Sequence, residues 1–186
     1  PSNTLTDMYK VVFSEKAFLS LVVETKERIE TETGGVFLGK QIGDVFYIVE
    51  TLDPGPHSTF TLTYFEYDTP YVNHLANKVA RLYNEKLDVV GLWHRHPGSL
   101  DVFSYTDDTT NLSFAKLGKS GAISALVNID PDFRLTMYHV SNPLSYRKIK
   151  YEVSSDVSDM FRMKTYESVV KSINSHSKID FKYCPV

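Results

Sequence analysis

Two histidines and a downstream carboxylate form the part of the sequence with the clearest chemical potential. The chain reads His94-Arg95-His96-Pro97 and, six residues later, Ser104-Tyr105-Thr106-Asp107. Side chains at positions i and i+2 point to the same face of an extended backbone, so both imidazoles can face one ion. Imidazole nitrogens are good zinc ligands, and a carboxylate from the next helix would complete three protein ligands. Three ligands leave a fourth position for water, which is typical of a catalytic zinc site.

Each half of this pattern also has a simpler interpretation. A His-x-His pair in a strand is usually two surface or partly buried histidines. The Ser-x-x-Asp pattern is typical of a helix start, with Ser104 as N-cap and Asp107 in the first turn. Because the two patterns stand in tandem after an apolar strand, we favour the metal site, and a capping role can coexist with it. The single cysteine, Cys184, excludes a thiolate-rich structural zinc site.

Hydrophobic periodicity predicts the elements that would position these residues. A helix is expected after Ser14, with apolar positions as far as Ile29, and residues 57–69 suggest a strand. A short strand, Asp88–Trp93, leads into the histidines. The other predicted elements are a hairpin over 36–52, helices over 70–83 and 105–116, a hairpin over 122–140, a strand near 148–153 and a helix over about 156–173.

These elements predict an α/β (α+β) fold in one domain, residues 1–186. The 186 residues carry a net charge of −3, so no basic excess favours nucleic-acid binding. The apolar runs are too short for a membrane span, which argues against a membrane partner. The polar start PSNTLTD carries no signal-like hydrophobic region, and with one cysteine it leads us to expect a cytoplasmic protein.

The composite pattern His-x-His-Pro-x6-Ser-x-x-Asp resembles the signature of the JAMM (JAB1/MPN/Mov34) metalloproteases. That family also has a glutamate at the end of its first helix, and Glu32, followed by Thr33–Gly39, resembles this element. Glu30 is a competing assignment, but the glycine spacing after Glu32 matches the family. The resemblance covers about residues 10–140 and implies a JAB1/MPN-like domain. Its central mixed sheet would be flanked by helices, with residues 141–186 as a C-terminal strand and helix extension.

The resemblance implies a role for each matching residue. His94, His96 and Asp107 would bind Zn²⁺. Glu32 would act as general base towards the attacking water and then carry the proton to the leaving amine. Ser104 would donate a hydrogen bond to the oxyanion of the tetrahedral intermediate.

One position departs from the family, which usually has Ser or Thr where this chain has Arg95. We expect Arg95 to affect substrate or the surroundings of the ligands, with a solvated arginine as the alternative. Ser99 and Phe103, in the loop Gly98–Phe103, are predicted substrate contacts. Loop surface is the alternative for Ser99, and Asp101 is likewise either loop surface or a further contact. The aromatic stretch Phe60–Tyr67 is either the other wall of the substrate channel or a set of core or dimer contacts.

The family cleaves peptide or isopeptide bonds after the C-terminus of ubiquitin or ubiquitin-like proteins, whose extended tails can bind by strand addition. The compact chain resembles the bacterial branch found with E1-like and E2-like conjugation enzymes, including in antiphage operons. A ubiquitin-like or conjugated protein substrate is therefore expected. The alternatives are a non-catalytic MPN-type scaffold and a peptidase that processes sulfur carriers. The chain lacks His-Glu-x-x-His and Pro-Cys-x-x-Cys, which excludes zincin proteases and nucleobase deaminases.

Overall fold

The computed structural model describes residues 8–98 and 100–174. In chain order the elements are β1 (Lys10–Phe13), α1 (Glu15–Glu27), β2 (Thr33–Ile42), β3 (Val45–Leu52), β4 (Thr59–Phe60), β5 (Phe65–Glu66), α2 (Thr69–Ala80), β6 (Asp88–Arg95), α3 (Tyr105–Ala115), β7 (Ala122–Asn128), β8 (Arg134–Ser141), β9 (Ser145–Val153), α4 (Asp156–Met160) and α5 (Tyr166–Asn174). The predicted class, a mixed sheet with flanking helices, is confirmed. None of these helices is long and apolar enough to cross a membrane.

The central sheet runs in the order β1-β3-β2-β6-β7-β8-β9 and closes on itself. Closure depends on β1, which pairs in parallel with both β3 and β9. The pair β6–β7 is also parallel, whereas β2 pairs antiparallel with both β3 and β6. The short strands β4 and β5 form a separate two-stranded ribbon. Residues 145–153 of the expected C-terminal extension therefore belong to the central sheet.

The two faces of the sheet pack against different layers. The first cluster draws on all seven central strands and includes Phe37, Trp93 and Met137, and Leu21 of α1 packs into it. The second cluster packs α2 and α3 against the other face, where Leu92 lies. Because Leu92 and Trp93 are consecutive in β6, successive side chains of this strand enter different layers. His94 continues the face of Leu92, and Arg95 continues the face of Trp93.

Local signals set most of the element boundaries. The Ser14 hydroxyl caps α1 by accepting a hydrogen bond from Ala17 N at 3.0 Å. The Asp68 carboxylate caps α2, and Pro70 stands in its first turn, where a missing N–H costs nothing. Gly43, with φ of 60°, forms the turn of the β2–β3 hairpin. The predicted N-cap at Ser14 and both predicted hairpins are confirmed.

Some boundaries differ from those predicted. Strand β1 was not predicted, because it is four residues long and its pairing partners lie far away in the chain. Helix α1 ends at Glu27, so Ile29 lies beyond it and is exposed. The helix predicted over 156–173 is two helices, because α4 ends where Phe161 turns into the core beside Val157.

Candidate active site

His94 lies next to last in β6, His96 follows directly after the strand, and both side chains face the same side. The ring centroids of His94 and His96 are 4.8 Å apart and the rings are perpendicular. His96 is buried, and the His94 side chain is 12% exposed. The predicted alignment of the two imidazoles is therefore observed, and β6 is held on both sides by β2 and β7.

Asp107 lies in the first turn of α3, facing both histidines. Its Oδ2 lies 2.9 Å from His96 Nε2, and its Oδ1 lies 3.5 Å from His94 Nε2. The same carboxylate forms a capping box, in which Ser104 N donates to Asp107 Oδ2 at 2.7 Å and Asp107 N donates to Ser104 Oγ at 3.1 Å. The Asp107 side chain thus has both predicted roles: it takes part in the cap of α3 and it faces the two histidines. The start of the helix fixes its position.

Glu32 reaches the same point from the turn between α1 and β2. Its Oε2 lies 3.4 Å from His94 Nε2, and its side chain is 14% exposed. Glu30, the competing assignment, is exposed. The backbone N–H of Glu32 donates to the carbonyl of Thr61 at 2.8 Å, so the β4–β5 ribbon holds this residue in place.

The charges around the histidines favour a cation. Burial alone would lower the pKa of His96, but the hydrogen bond to Asp107 and the charges of Asp107 and Glu32 outweigh it, so the pKa is raised. Burial alone would raise the pKa of Asp107, but the hydrogen bond with His96, the charge of His94 and the Ser104 N–H lower it to about 2. Asp107 is therefore an anion throughout the neutral pH range.

The donor set fits a zinc ion. Glu32, His94 and His96 each offer one ligand atom, and these atoms all lie within 4.8 Å of one another. Two ligands at about 2.0–2.1 Å from a tetrahedral ion stand roughly 3.3 Å apart. The 3.5 Å between His94 Nε2 and Asp107 Oδ1 is close to that spacing. Nitrogen and carboxylate oxygen donors are also the types that zinc accepts.

The family follows from comparison with known proteins. The family described as prokaryotic homologues of the JAB domain matches residues 14–136. The chain belongs to this family. The matched range contains the two histidines, Asp107 and Glu32.

The fold of this JAB domain also has a solved counterpart. The solution structure of protein DSY2949 from Desulfitobacterium hafniense is similar, with a TM-score of 0.58 and 13% sequence identity. The match covers 77% of this chain and 92% of that chain, and at such low identity it shows the fold alone. The search of curated proteins found no match.

Ser104 lies beside the site of this JAB domain, bonded to Asp107 through the capping box. Its Oγ accepts the cap hydrogen bond from Asp107 N, and the residue is otherwise exposed. A serine hydroxyl can accept while donating its own hydrogen, so the O–H is available to a bound substrate. The predicted oxyanion role is compatible with this placement.

Arg95 neither contacts solvent nor lines the cleft, so the expected substrate contact and the solvated alternative are wrong, whereas the expected effect on the surroundings of the ligands stays a prediction. It is 0% exposed and points to the opposite face of β6 from His94. Its Nη1 donates to the carbonyls of Arg28 and Thr31, each at 2.8 Å, and its Nη2 lies 3.4 Å from Asp130 Oδ2. The turn between α1 and β2 covers the side chain.

A cleft of about 260 Å³ lies beside the histidines. Phe103, a predicted substrate contact, lines it and stacks on Tyr146 with ring centroids 4.7 Å apart. On the other side Phe65 meets the His94 ring edge-on at 5.6 Å. The second predicted contact, Ser99, lies outside the described residues.

The remaining predicted wall residues divide between two places. Tyr64, Phe65 and Tyr67 line the cleft, whereas Phe60 lines a separate groove and lies under the Arg28 guanidinium. Asp101 accepts hydrogen bonds from Arg134, so it anchors the loop after the histidines to β8.

Two supporting roles were not predicted from the sequence, although the glycines after Glu32 were used to assign that residue. Gly34 is required because a Cβ there would lie 2.6 Å from Trp93 O and 2.8 Å from Phe65 Cε1, so only glycine lets Phe65 reach His94. Asn111 is buried and bonds Ser124 and Tyr146, which ties α3 to β7 and β9. The signal for Asn111 was present, since it is a polar residue four positions after Asp107 on the same helix face.

Proposed function

We propose that this JAB domain is a zinc-dependent peptidase or isopeptidase. It would hydrolyse the amide bond after the C-terminus of a ubiquitin-like protein or of a conjugated target protein. The observation that supports this most directly is the meeting of two carboxylates at one imidazole: Glu32 Oε2 and Asp107 Oδ1 lie 3.4 and 3.5 Å from His94 Nε2. A non-catalytic scaffold has no need for a second, largely covered carboxylate at that point.

His94, His96 and Asp107 would hold the metal, because Asp107 contacts both histidines whereas Glu32 contacts one of them. Zinc, when bound, supplies Lewis-acid chemistry: it polarises a carbonyl and lowers the pKa of water to about 7. Glu32 takes a proton from the attacking water and delivers it to the departing amine, which must be protonated to leave. The Ser104 O–H donates to the carbonyl oxygen of the scissile bond.

The closed sheet restricts how an extended tail can bind. Within the described residues, each central strand has a neighbour on both sides, so none offers a free edge beside His94. In the β4–β5 ribbon, β5 pairs with β4 alone among the described strands, and Phe65 of β5 lines the cleft. Strand addition would therefore use this ribbon. The E1-like and E2-like partners, the antiphage setting and the cytoplasmic location stay predictions of the same proposal.

Cleavage of a ubiquitin-like fusion that continues beyond Gly-Gly tests the proposal. Zinc-loaded wild type is compared with Glu32→Gln and, as a matched control, Glu30→Gln, which changes an exposed glutamate two residues away. General acid–base groups contribute about 10²–10⁴-fold, so Glu32→Gln should lose at least 100-fold in kcat/KM and keep its zinc. Glu30→Gln should cleave as the wild type does.

Two results would contradict the proposal in different ways. Full activity in Glu32→Gln would remove the general-base role while leaving a metal-dependent enzyme. A zinc-loaded wild type that cleaves no member of a panel of peptide-linked and isopeptide-linked substrates would favour the non-catalytic scaffold.

A further inference from the structure

The turn that presents Glu32 has no regular structure. It spans residues 28–32, between the end of α1 and the start of β2. On its outer side the β4–β5 ribbon holds it: Thr61 O accepts from Glu32 N, and the Arg28 guanidinium lies 3.8 Å above the Phe60 ring. A general base on such a turn needs a second attachment if its carboxylate is to stay at one place.

Arg95 provides that attachment from the inner side. One nitrogen, Nη1, donates to the carbonyls at both ends of the turn, Arg28 O and Thr31 O, at 2.8 Å. The Arg95 side chain is fully buried, so the guanidinium depends on protein groups for its hydrogen bonds. Hydrogen bonds from a charged donor are roughly twice as strong as neutral ones, and leaving a buried charged donor unpaired is costly.

The strand that carries Arg95 also carries His94. Successive residues of β6 point to opposite faces, so His94 enters the metal-facing layer while Arg95 reaches under the turn. The distance between the Glu32 carboxylate and the His94 imidazole is thereby set by one short piece of backbone and one guanidinium. Asp130 on the β7–β8 loop lies 3.4 Å from Arg95 Nη2 and helps to hold the guanidinium from a third side.

We propose that Arg95 is a positioning residue for the peptidase reaction, acting through Glu32 by fixing the 28–32 turn. The inference rests on the proposed function above. The planar guanidinium reaches two carbonyls and one carboxylate at once, which the single ammonium of lysine does not. A serine or threonine at this position would be too short to cross from β6 to the turn, so this attachment requires a long side chain.

The test combines kinetics with hydrogen exchange in zinc-loaded Arg95→Met and Arg95→Lys. Misplacement of a catalytic group by about 1 Å can cost about 100-fold, so Arg95→Met should lose about that much in kcat with KM unchanged. Amide exchange over residues 28–33 should become faster, and zinc content should stay at the wild-type level. Arg95→Lys should recover part of both losses.

Tyr83→Phe is the control for loss of a buried hydrogen bond elsewhere. It removes the hydroxyl group that donates to Glu50 Oε1 at 2.5 Å, in the cluster packed against α4. This variant should leave both kcat and the exchange of residues 28–33 unchanged. A matching loss in Tyr83→Phe would mean that general destabilisation explains Arg95→Met, and the proposal would fall.

Wild-type exchange at residues 28–33 in Arg95→Met would also overturn the proposal, as would faster exchange with wild-type kcat. If Arg95→Met does not fold, Arg95→Lys decides alone: faster exchange with a lower kcat supports the proposal, and wild-type values of both refute it. A wild type without activity refutes the proposed function, and the exchange of residues 28–33 then still shows whether Arg95 orders the turn.

Discussion

The two sides of the site are built in different ways. On one side, His94 and His96 end a strand paired on both edges, and Asp107 stands in a capping box at the start of α3. On the other side, Glu32 stands on an irregular turn held by groups from other parts of the chain. A metal ligand needs a fixed position, which regular backbone provides. A group that transfers a proton also needs a defined position. Here the turn that carries Glu32 is held by contacts with two other parts of the chain.

Replacing one carboxylate from each side should give the largest difference. Asp107→Ala removes an oxygen donor that faces both histidines, so zinc affinity should fall by more than about 100-fold, beyond the effect of losing a group that only orients a ligand. Glu32→Gln should change zinc affinity by less than about tenfold. Competition with a chromophoric chelator measures both constants. Equal losses of zinc affinity in the two variants would show that Glu32 is a ligand and that metal binding is not confined to the side of Asp107.

Replacing Ser104 tests whether the residue at the start of α3 acts only as an N-cap or also in catalysis. Ser104→Ala should cost about 1 kcal/mol in unfolding free energy as a lost N-cap, and about 10²–10³-fold in kcat as a lost oxyanion donor. Ser14→Ala is the matched control, because Ser14 caps α1 in the same way at 3.0 Å. It should lose comparable or greater stability and no kcat at saturating zinc. An equal kcat in the two variants would leave Ser104 with a capping role alone.

The strand and helix side was also the more predictable side. His94 and His96 are two residues apart, and Ser104 and Asp107 are three apart, so strand and helix periodicity alone places each pair on one face. Glu32 lies 62 positions before His94, and no local rule brings them together. Its assignment over Glu30 rested on the resemblance to the family, and the structure agrees in bringing Glu32 to His94.

The errors have the same origin. The environment of Arg95 depends on how the turn after α1 folds over β6, which is a contact between residues 64 and 67 positions apart. Strand β1 depends on pairing with residues as far away as 140 positions, from Lys10 to Lys150. The break between α4 and α5 follows from Phe161 entering the core. In each case the structure depends on a tertiary contact that the local sequence pattern does not contain.

The third prediction concerns the network that holds α3. Tyr146 donates to Asp108 Oδ1 at 2.6 Å and accepts from Asn111 Nδ2 at 3.0 Å. Tyr146→Phe keeps the ring under Phe103 but leaves both partners without this bond, so unfolding free energy should fall by about 1–2 kcal/mol. Urea unfolding measures it, with Tyr105→Phe, at an 86% exposed tyrosine, as the control. An unchanged unfolding free energy in Tyr146→Phe would mean that the Ser104–Asp107 capping box alone holds the start of α3.

The carboxyl groups on the two sides have pKa values shifted in opposite directions. The smallest predicted change in unfolding free energy comes from Glu24. Its place on α1, which leads into the Glu32 turn, is unfavourable for charge: burial and the charges of Glu27 and Asp53 raise the pKa of Glu24 from 4.5 to about 7. Asp107, on the other side, has its pKa lowered to about 2. The Glu24 carboxylate therefore opposes folding where the Asp107 carboxylate supports it.

The pH dependence follows from the direction of the Glu24 shift. Below pH 4.5 the carboxyl is protonated in both states and has no effect; between pH 4.5 and about 7 the unfolded chain loses the proton first, so stability falls as pH rises. Since the side chain is only half-buried, solvent screening limits the penalty above pH 7 to about 1 kcal/mol. Glu24→Gln should therefore raise the unfolding free energy at pH 8 by about that amount and leave it unchanged at pH 4. Glu27→Gln should give a smaller gain of the same sign at pH 8, because it removes a neighbouring charge and not the buried one. Equal effects of Glu24→Gln at both pH values would place the Glu24 charge in solvent and remove the electrostatic contrast between the two sides.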